Sequence, residues 1–189
     1  MLSAGPGHHA VAFYQENELA GLVGGYLQSA VMEGGTAVLL ATPEHQILVN
    51  AWLTRTGIDL VLAWADGSYV LLDAGQTVSR FMINGRPDAA AFWQTMSPVL
   101  AAASRKQGPV RVFVEMAAVL WATGPADATI ELEALWNEIS RQYRFALLCA
   151  YPAAAVSNDA DSDLLAQVCC AHSAVVGAPA DSGEAWLPG

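Results

Sequence analysis

The chain has 189 residues, 54% of them hydrophobic and 14% charged, with a formal net charge of −10. That is enough apolar material for one domain with a real core, and it excludes general disorder. Eight basic residues, only one of them a lysine (Lys106), give no cluster for phosphate or anionic lipid, which argues against direct nucleic-acid or membrane binding.

The start, MLSAGPGHHAVAF, has neither a basic n-region nor a long apolar stretch, so it does not read as a signal peptide. No run approaches the ~18 apolar residues of a spanning helix. Three cysteines (Cys149, Cys169, Cys170) make an odd number with two adjacent. This is no disulfide framework, and reduced thiols fit a cytoplasmic location.

Residues 10–14 (AVAFY) are apolar without helical spacing and read as a buried strand. Leu19, Leu22, Val23, Tyr26, Leu27, Ala30 and Val31 then recur at helical spacing, so a helix spans residues 17–32. Its Gly21, Gly24 and Gly25 lower helix propensity and allow close packing. Gly34-Gly35 ends it, and residues 36–41 (TAVLLA) form a second buried strand. Thr42-Pro43-Glu44 starts a helix running to about Thr56, with a hydroxyl cap and proline in the first turn. Residues 58–64 and 68–72 read as strands around an Asp66-Gly67 turn. Asp73 and Gly75 lead into a short helix carrying Val78, Phe81 and Met82.

Asn84-Gly85-Arg86-Pro87 is a break. Phe92, Trp93, Met96, Val99, Leu100 and Ala103 mark a helix that Pro98 should kink or divide. Residues 110–114 (VRVFV) form a strand ending at Glu115, and residues 117–121 are helical up to Gly124-Pro125. Ile130, Leu132, Leu135, Trp136, Ile139 and Tyr143 define the most regular helix. Residues 145–150 (FALLCA) form the last expected strand, ending at Tyr151-Pro152. An acidic loop with Asp159, Asp161 and Asp163 precedes a short helix over 164–172. Strands that are apolar throughout and alternate with helices predict an α/β three-layer sandwich with a largely parallel central sheet. The expected organisation is an N-terminal tail over 1–7, one domain over 8–172 and a flexible tail over 173–189.

A phosphate loop needs glycine amides and a lysine, whereas Tyr14-Gln15-Glu16-Asn17 has neither and carries an acid. Glu115, an acid at the end of an apolar strand, either faces a ligand or caps the helix that follows. His8, His9, Cys149, Cys169, Cys170 and His172 offer soft-metal ligands, but the paired CxxC or HxxxH elements of structural zinc sites are missing. The expectation is therefore no metal and no cofactor, with packing accounting for the cysteines. The six tryptophans lie mostly at core spacing; Trp121, just past Glu115, is the one assigned to a ligand. If the strands run parallel, their carboxyl ends deliver Tyr14, Thr42, Glu115 and Tyr151 to one rim, with Trp121 and His9 nearby. Such a rim fits a small, partly apolar ligand and repels a polyanion.

The segments HAVAFYQENELAGLVGGYL, GGTAVLLATPEH, VFVEMAAVLWATG, IELEALWNEI and LLCAYP, in this order, resemble the MEDS domain, the sensory domain of DcmR-type regulators of methanogens and methylotrophs. The matching positions are His9, Phe13, Tyr14, Glu115, Trp121, Gly124, Glu133, Trp136 and Tyr151. The resemblance implies a RecA- or KaiC-like fold with a degenerate P-loop. It also implies a sensory role in bacterial or archaeal signal transduction, beside kinase, anti-sigma or DNA-binding modules. No output domain fits in this length, so the chain either signals through a separate protein or is a fragment of a longer one; the expected role is non-catalytic small-molecule sensing through a separate output partner. Two alternatives are a degenerate RecA-like nucleotide-binding protein or ATPase, and a ligand-free module that sequesters a regulator. The apolar excess allows a homodimer.

Overall fold

The computed structural model describes residues 5–156 and 162–176. The strands are β1 (His9–Tyr14), β2 (Thr36–Ala41), β3 (Tyr69–Asp73), β4 (Met82–Ile83), β5 (Arg86–Pro87), β6 (Val110–Val114), β7 (Ala146–Pro152) and β8 (Ala174–Val176). Between them lie α1 (Glu16–Met32), α2 (Pro43–Arg55), α3 (Leu60–Ala65), α4 (Ala74–Ser79), α5 (Ala89–Ala103), α6 (Met116–Thr123), α7 (Ala126–Ile139), a 3-10 turn over Ala153–Val156, and α8 (Ser162–Ala171). Six strands form one sheet in the order β3-β2-β6-β7-β1-β8, and every pairing is parallel. Helices cover both faces, which makes the α/β three-layer sandwich.

Alternation along the strands divides the core. Ala10, Ala12, Ala37, Ala41, Ala146 and Ala150 point to the face covered by α1–α3. Those small side chains let α1 lie close to the sheet. Val11, Val38, Val112, Leu147 and their neighbours point to the other face, under α4–α8, where Phe81, Phe92, Trp136 and Phe145 pack edge to face. The glycines of α1 make room for α2: a Cβ on Gly24 would lie 2.6 Å from Trp52 Cδ2.

Four local expectations change. The run over 58–64, read as a strand, contains helix α3, because the Asp59 carboxylate accepts from the Leu62 amide (3.1 Å) and caps it. A short apolar run carries no periodicity that separates strand from buried helix. The break at Asn84-Gly85 is a hairpin between β4 and β5, with φ of 51° and 78° at the turn, the positive pair a tight turn requires. Pro98 sits inside α5 without dividing it. Residues 174–176, placed in the tail, form edge strand β8 against β1. Asp159, Asp161 and the expected tail from residue 177 onward lie outside the described residues.

Candidate functional site

Neighbouring strands of the sheet send the chain to opposite faces. β2 leads into α2 on one side and β6 into α6 on the other, which makes their carboxyl ends a topological switch point, where parallel sheets can leave a crevice. Glu115 lies there, 3% exposed. It occupies the cap position of α6 but makes no capping bond. Its carboxylate instead accepts from Tyr14 Oη (3.1 Å) and the Thr42 amide (2.9 Å), and pairs with His45 Nδ1. His45 Nε2 lies 3.2 Å from Glu16 Oε2. Thus the ends of β1, β2 and β6 and the first turn of α2 meet on one carboxylate, and Glu16 of α1 joins through His45.

The electrostatics follow from this geometry. The hydrogen bond to Glu115 raises the His45 pKa above its ordinary value, against the opposing effect of burial. Burial pushes the Glu115 carboxyl up, but His45 and the Thr42 amide outweigh it and hold the carboxyl below its usual value. Burial, followed by the neighbouring Glu115 charge, raises the Tyr14 phenol. The switch point therefore holds a carboxylate favoured in its charged form beside a histidine biased toward protonation.

The expected rim residues divide into two groups. Tyr14, Thr42 and Glu115 come together as described. His9, Tyr151 and Trp121 belong to a second cluster under α7, on the opposite face of the sheet. There Glu133 is completely buried. Tyr151 Oη donates to its Oε1 (2.7 Å), and Cys149 Sγ stands 3.4 Å from its Oε2. His9 Nε2 and His172 Nε2 lie 3.3 Å and 3.4 Å from that same oxygen. Trp121 packs edge-on against Tyr151, with ring centroids 5.8 Å apart. Burial opposes the Glu133 charge, yet the two histidines hold its carboxyl low. Burial and the Glu133 charge push the Cys149 thiol and the Tyr151 phenol well up.

Sequence reasoning did not single out His45 for the first cluster or assign Glu133 a role in the second. Glu133 had a signal: it interrupts the apolar stripe of Leu132, Leu135 and Trp136 on α7. His45 had none, since a polar residue in the first turn of a helix reads as surface. Grooves lie beside α1, about 820 Å³ with Tyr26, Trp52 and Arg111 in its wall, and beside α3. Neither includes Tyr14, Glu115 or Tyr151. The connection from β1 to α1 is the single residue Gln15, too short to wrap a phosphate.

The chain is a doubly wound parallel α/β sheet with a polar cluster at its β2/β6 switch point, the place where sheets of this kind can take ligands. The model of the MEDS family, the MEthanogen/methylotroph DcmR Sensory domain, matches residues 8–173. The chain belongs to that family of sensory domains. No curated protein matches it.

Proposed function

We propose that this sensory domain is non-catalytic and binds a small molecule at the crevice between β2 and β6, with Glu115 as its hydrogen-bond acceptor. The observation that supports this reading is the convergence of Tyr14, Thr42 and His45, from the ends of β1 and β2 and the first turn of α2, on the Glu115 carboxylate at the end of β6. An acceptor of that kind selects a ligand with O–H or N–H donors and disfavours a polyanion. Ligand entry displaces His45 or Tyr14 from Glu115, so it acts on α2.

α2 and α3 carry the output. Ile47 (69% exposed), Leu48, Val61 (72%), Leu62 and Trp64 stand on their outer surfaces, an apolar set that fits a protein partner or a second copy of the chain. A ligand with different affinity for two positions of α2 shifts the population that such a partner meets. This favours sensing over the alternative of a ligand-free sequestering module, because His45 links the crevice to the helix that bears the apolar set. The test is a thermal-shift screen of small alcohols, amines, amides and nucleosides. A hit should lose at least about tenfold in affinity in Glu115→Gln and His45→Gln and be unchanged in Trp121→Phe. Affinity unchanged in Glu115→Gln would place the ligand elsewhere.

A further inference from the structure

The second cluster has the composition and spacing of a metal site. His9 Nε2, Glu133 Oε2, Cys149 Sγ and His172 Nε2 all lie within 4.8 Å of one another. Four of the separations are 3.1 Å (His9–Cys149), 3.3 Å (His9–Glu133), 3.4 Å (Cys149–Glu133) and 3.4 Å (His172–Glu133). A tetrahedral ion with bonds of ~2.0–2.3 Å needs ligand atoms ~3.3–3.8 Å apart. The protein already holds its atoms near those edges.

The outer partners set the histidine tautomers. Asn137 Nδ2 donates to the Ala171 carbonyl (2.9 Å), which leaves Asn137 Oδ1 to accept from His9 Nδ1 (2.8 Å). His172 Nδ1 donates to the Val168 carbonyl (2.6 Å). With Nδ1 donating in both rings, each Nε2 is turned toward the Glu133 carboxylate, and His9 Nε2 also lies 3.1 Å from Cys149 Sγ. Such an arrangement calls for a positive charge among these atoms, a shared metal ion or a proton on Nε2. Among the described residues, His172 Nε2 is buried with no hydrogen-bond partner, because its 3.4 Å approach to Glu133 lacks the alignment of a bond.

We propose that His9, Glu133, Cys149 and His172 form a tetrahedral site for a divalent transition-metal ion of the zinc class. One thiolate, one carboxylate and two neutral imidazoles around a dication sum to zero charge, which suits a fully buried position. Mixed nitrogen, sulfur and oxygen donors select zinc over calcium or magnesium, which require oxygen alone. Four protein ligands leave no open position, so the ion is structural. It joins β1, α7, β7 and the residue that follows α8, and so fastens the α8–β8 segment to the sheet. This site is independent of the Glu115 crevice, and either can fail without the other.

The test uses the full chain, purified under reducing conditions, stripped with a chelator and titrated with Zn²⁺, or with Co²⁺ as the spectroscopic probe. The expected result is uptake of one equivalent, a tetrahedral cobalt spectrum with a thiolate charge-transfer band, and a Tm about 5–10 °C higher at a hundredfold excess over Kd. Cys149→Ser should abolish that band and weaken zinc binding more than about 100-fold, while Cys169→Ser/Cys170→Ser retains both. Should Cys149→Ser not fold, His172→Gln serves as the second variant, and undiminished zinc affinity there overturns the site. No saturable uptake, an octahedral cobalt spectrum, or a charge-transfer band that survives in Cys149→Ser would also overturn it, leaving an imidazolium–carboxylate pair.

Discussion

Glu115 shows what one buried carboxylate does in this domain. It is held ionised by the Thr42 amide and His45, and it ties together residues distant in the chain. The pH dependence follows from both partners. His45 has its pKa raised from 6.5, so its contribution is complete below about pH 6.5 and is lost as pH rises through the raised value. Glu115 has its pKa lowered from 4.5, so its contribution is present above about pH 4.5 and is lost as pH falls through the lowered value. The pair stabilises most between those limits. Glu115→Gln is expected to cost about 1–3 kcal/mol in urea unfolding near pH 5.5, with a smaller difference well above neutrality. A cost that does not vary with pH would show that the His45 charge contributes nothing. The residue scale was legible in part: Glu115 announced itself as an acid closing an apolar strand. Glu133 was visible only as a break in a stripe; the separation of His9 from Tyr14, five apart on one strand, follows from simple alternation, whereas the face Tyr151 takes depends on the pairing of β7 with β1, which no local pattern contains.

At the scale of elements, the packing of α1 on α2 rests on missing side chains. Alanine favours a helix over glycine by about 1 kcal/mol, so Gly24→Ala would stabilise an isolated helix. In the protein its methyl group meets the Trp52 ring, which must shift. The expected net result is a loss of about 1–3 kcal/mol by chemical denaturation, with a changed Trp52 emission. A stabilised variant would mean that the ring moves freely. Regular elements were read well because their apolar residues repeat: β1, β2, β6, β7 and α7 fall close to their expected places. The misreadings at α3 and β8 concern stretches of six residues or fewer. There a cap such as Asp59 or pairing with a distant strand decides the outcome, and neither leaves a periodic trace.

For the whole molecule, the parallel order places β2, β6, β7 and β1 inside the sheet and leaves β3 and β8 at its edges. Hydrogen exchange should therefore be slowest in β6 and β7 and fastest, among the sheet strands, in the three-residue β8. Equal protection of β8 and β7 in metal-stripped protein would contradict this. ATP should not be turned over above background in a coupled phosphate-release assay. The one-residue link at Gln15 gives no phosphate cradle, and its neighbour Glu16 is an acid. Turnover that vanishes in Glu115→Gln would restore the enzymatic reading. Fold class was legible at this scale because continuously apolar strands imply two covered faces, whereas strand order depends on crossovers that the sequence does not spell out.

The position of β1 between β7 and β8 has a consequence for biosynthesis. His9 is aligned with Leu147, so β1, made before the rest of its sheet, has no partner until almost the whole sheet has been synthesised. At ~5–20 residues per second that interval is on the order of ten seconds. Throughout it the segment AVAFY presents two bare strand edges and an apolar surface. β2 and β3, by contrast, can pair as soon as α2 and α3 emerge. Completion of β7 is therefore the event that gives β1 its first partner and commits it to the native sheet.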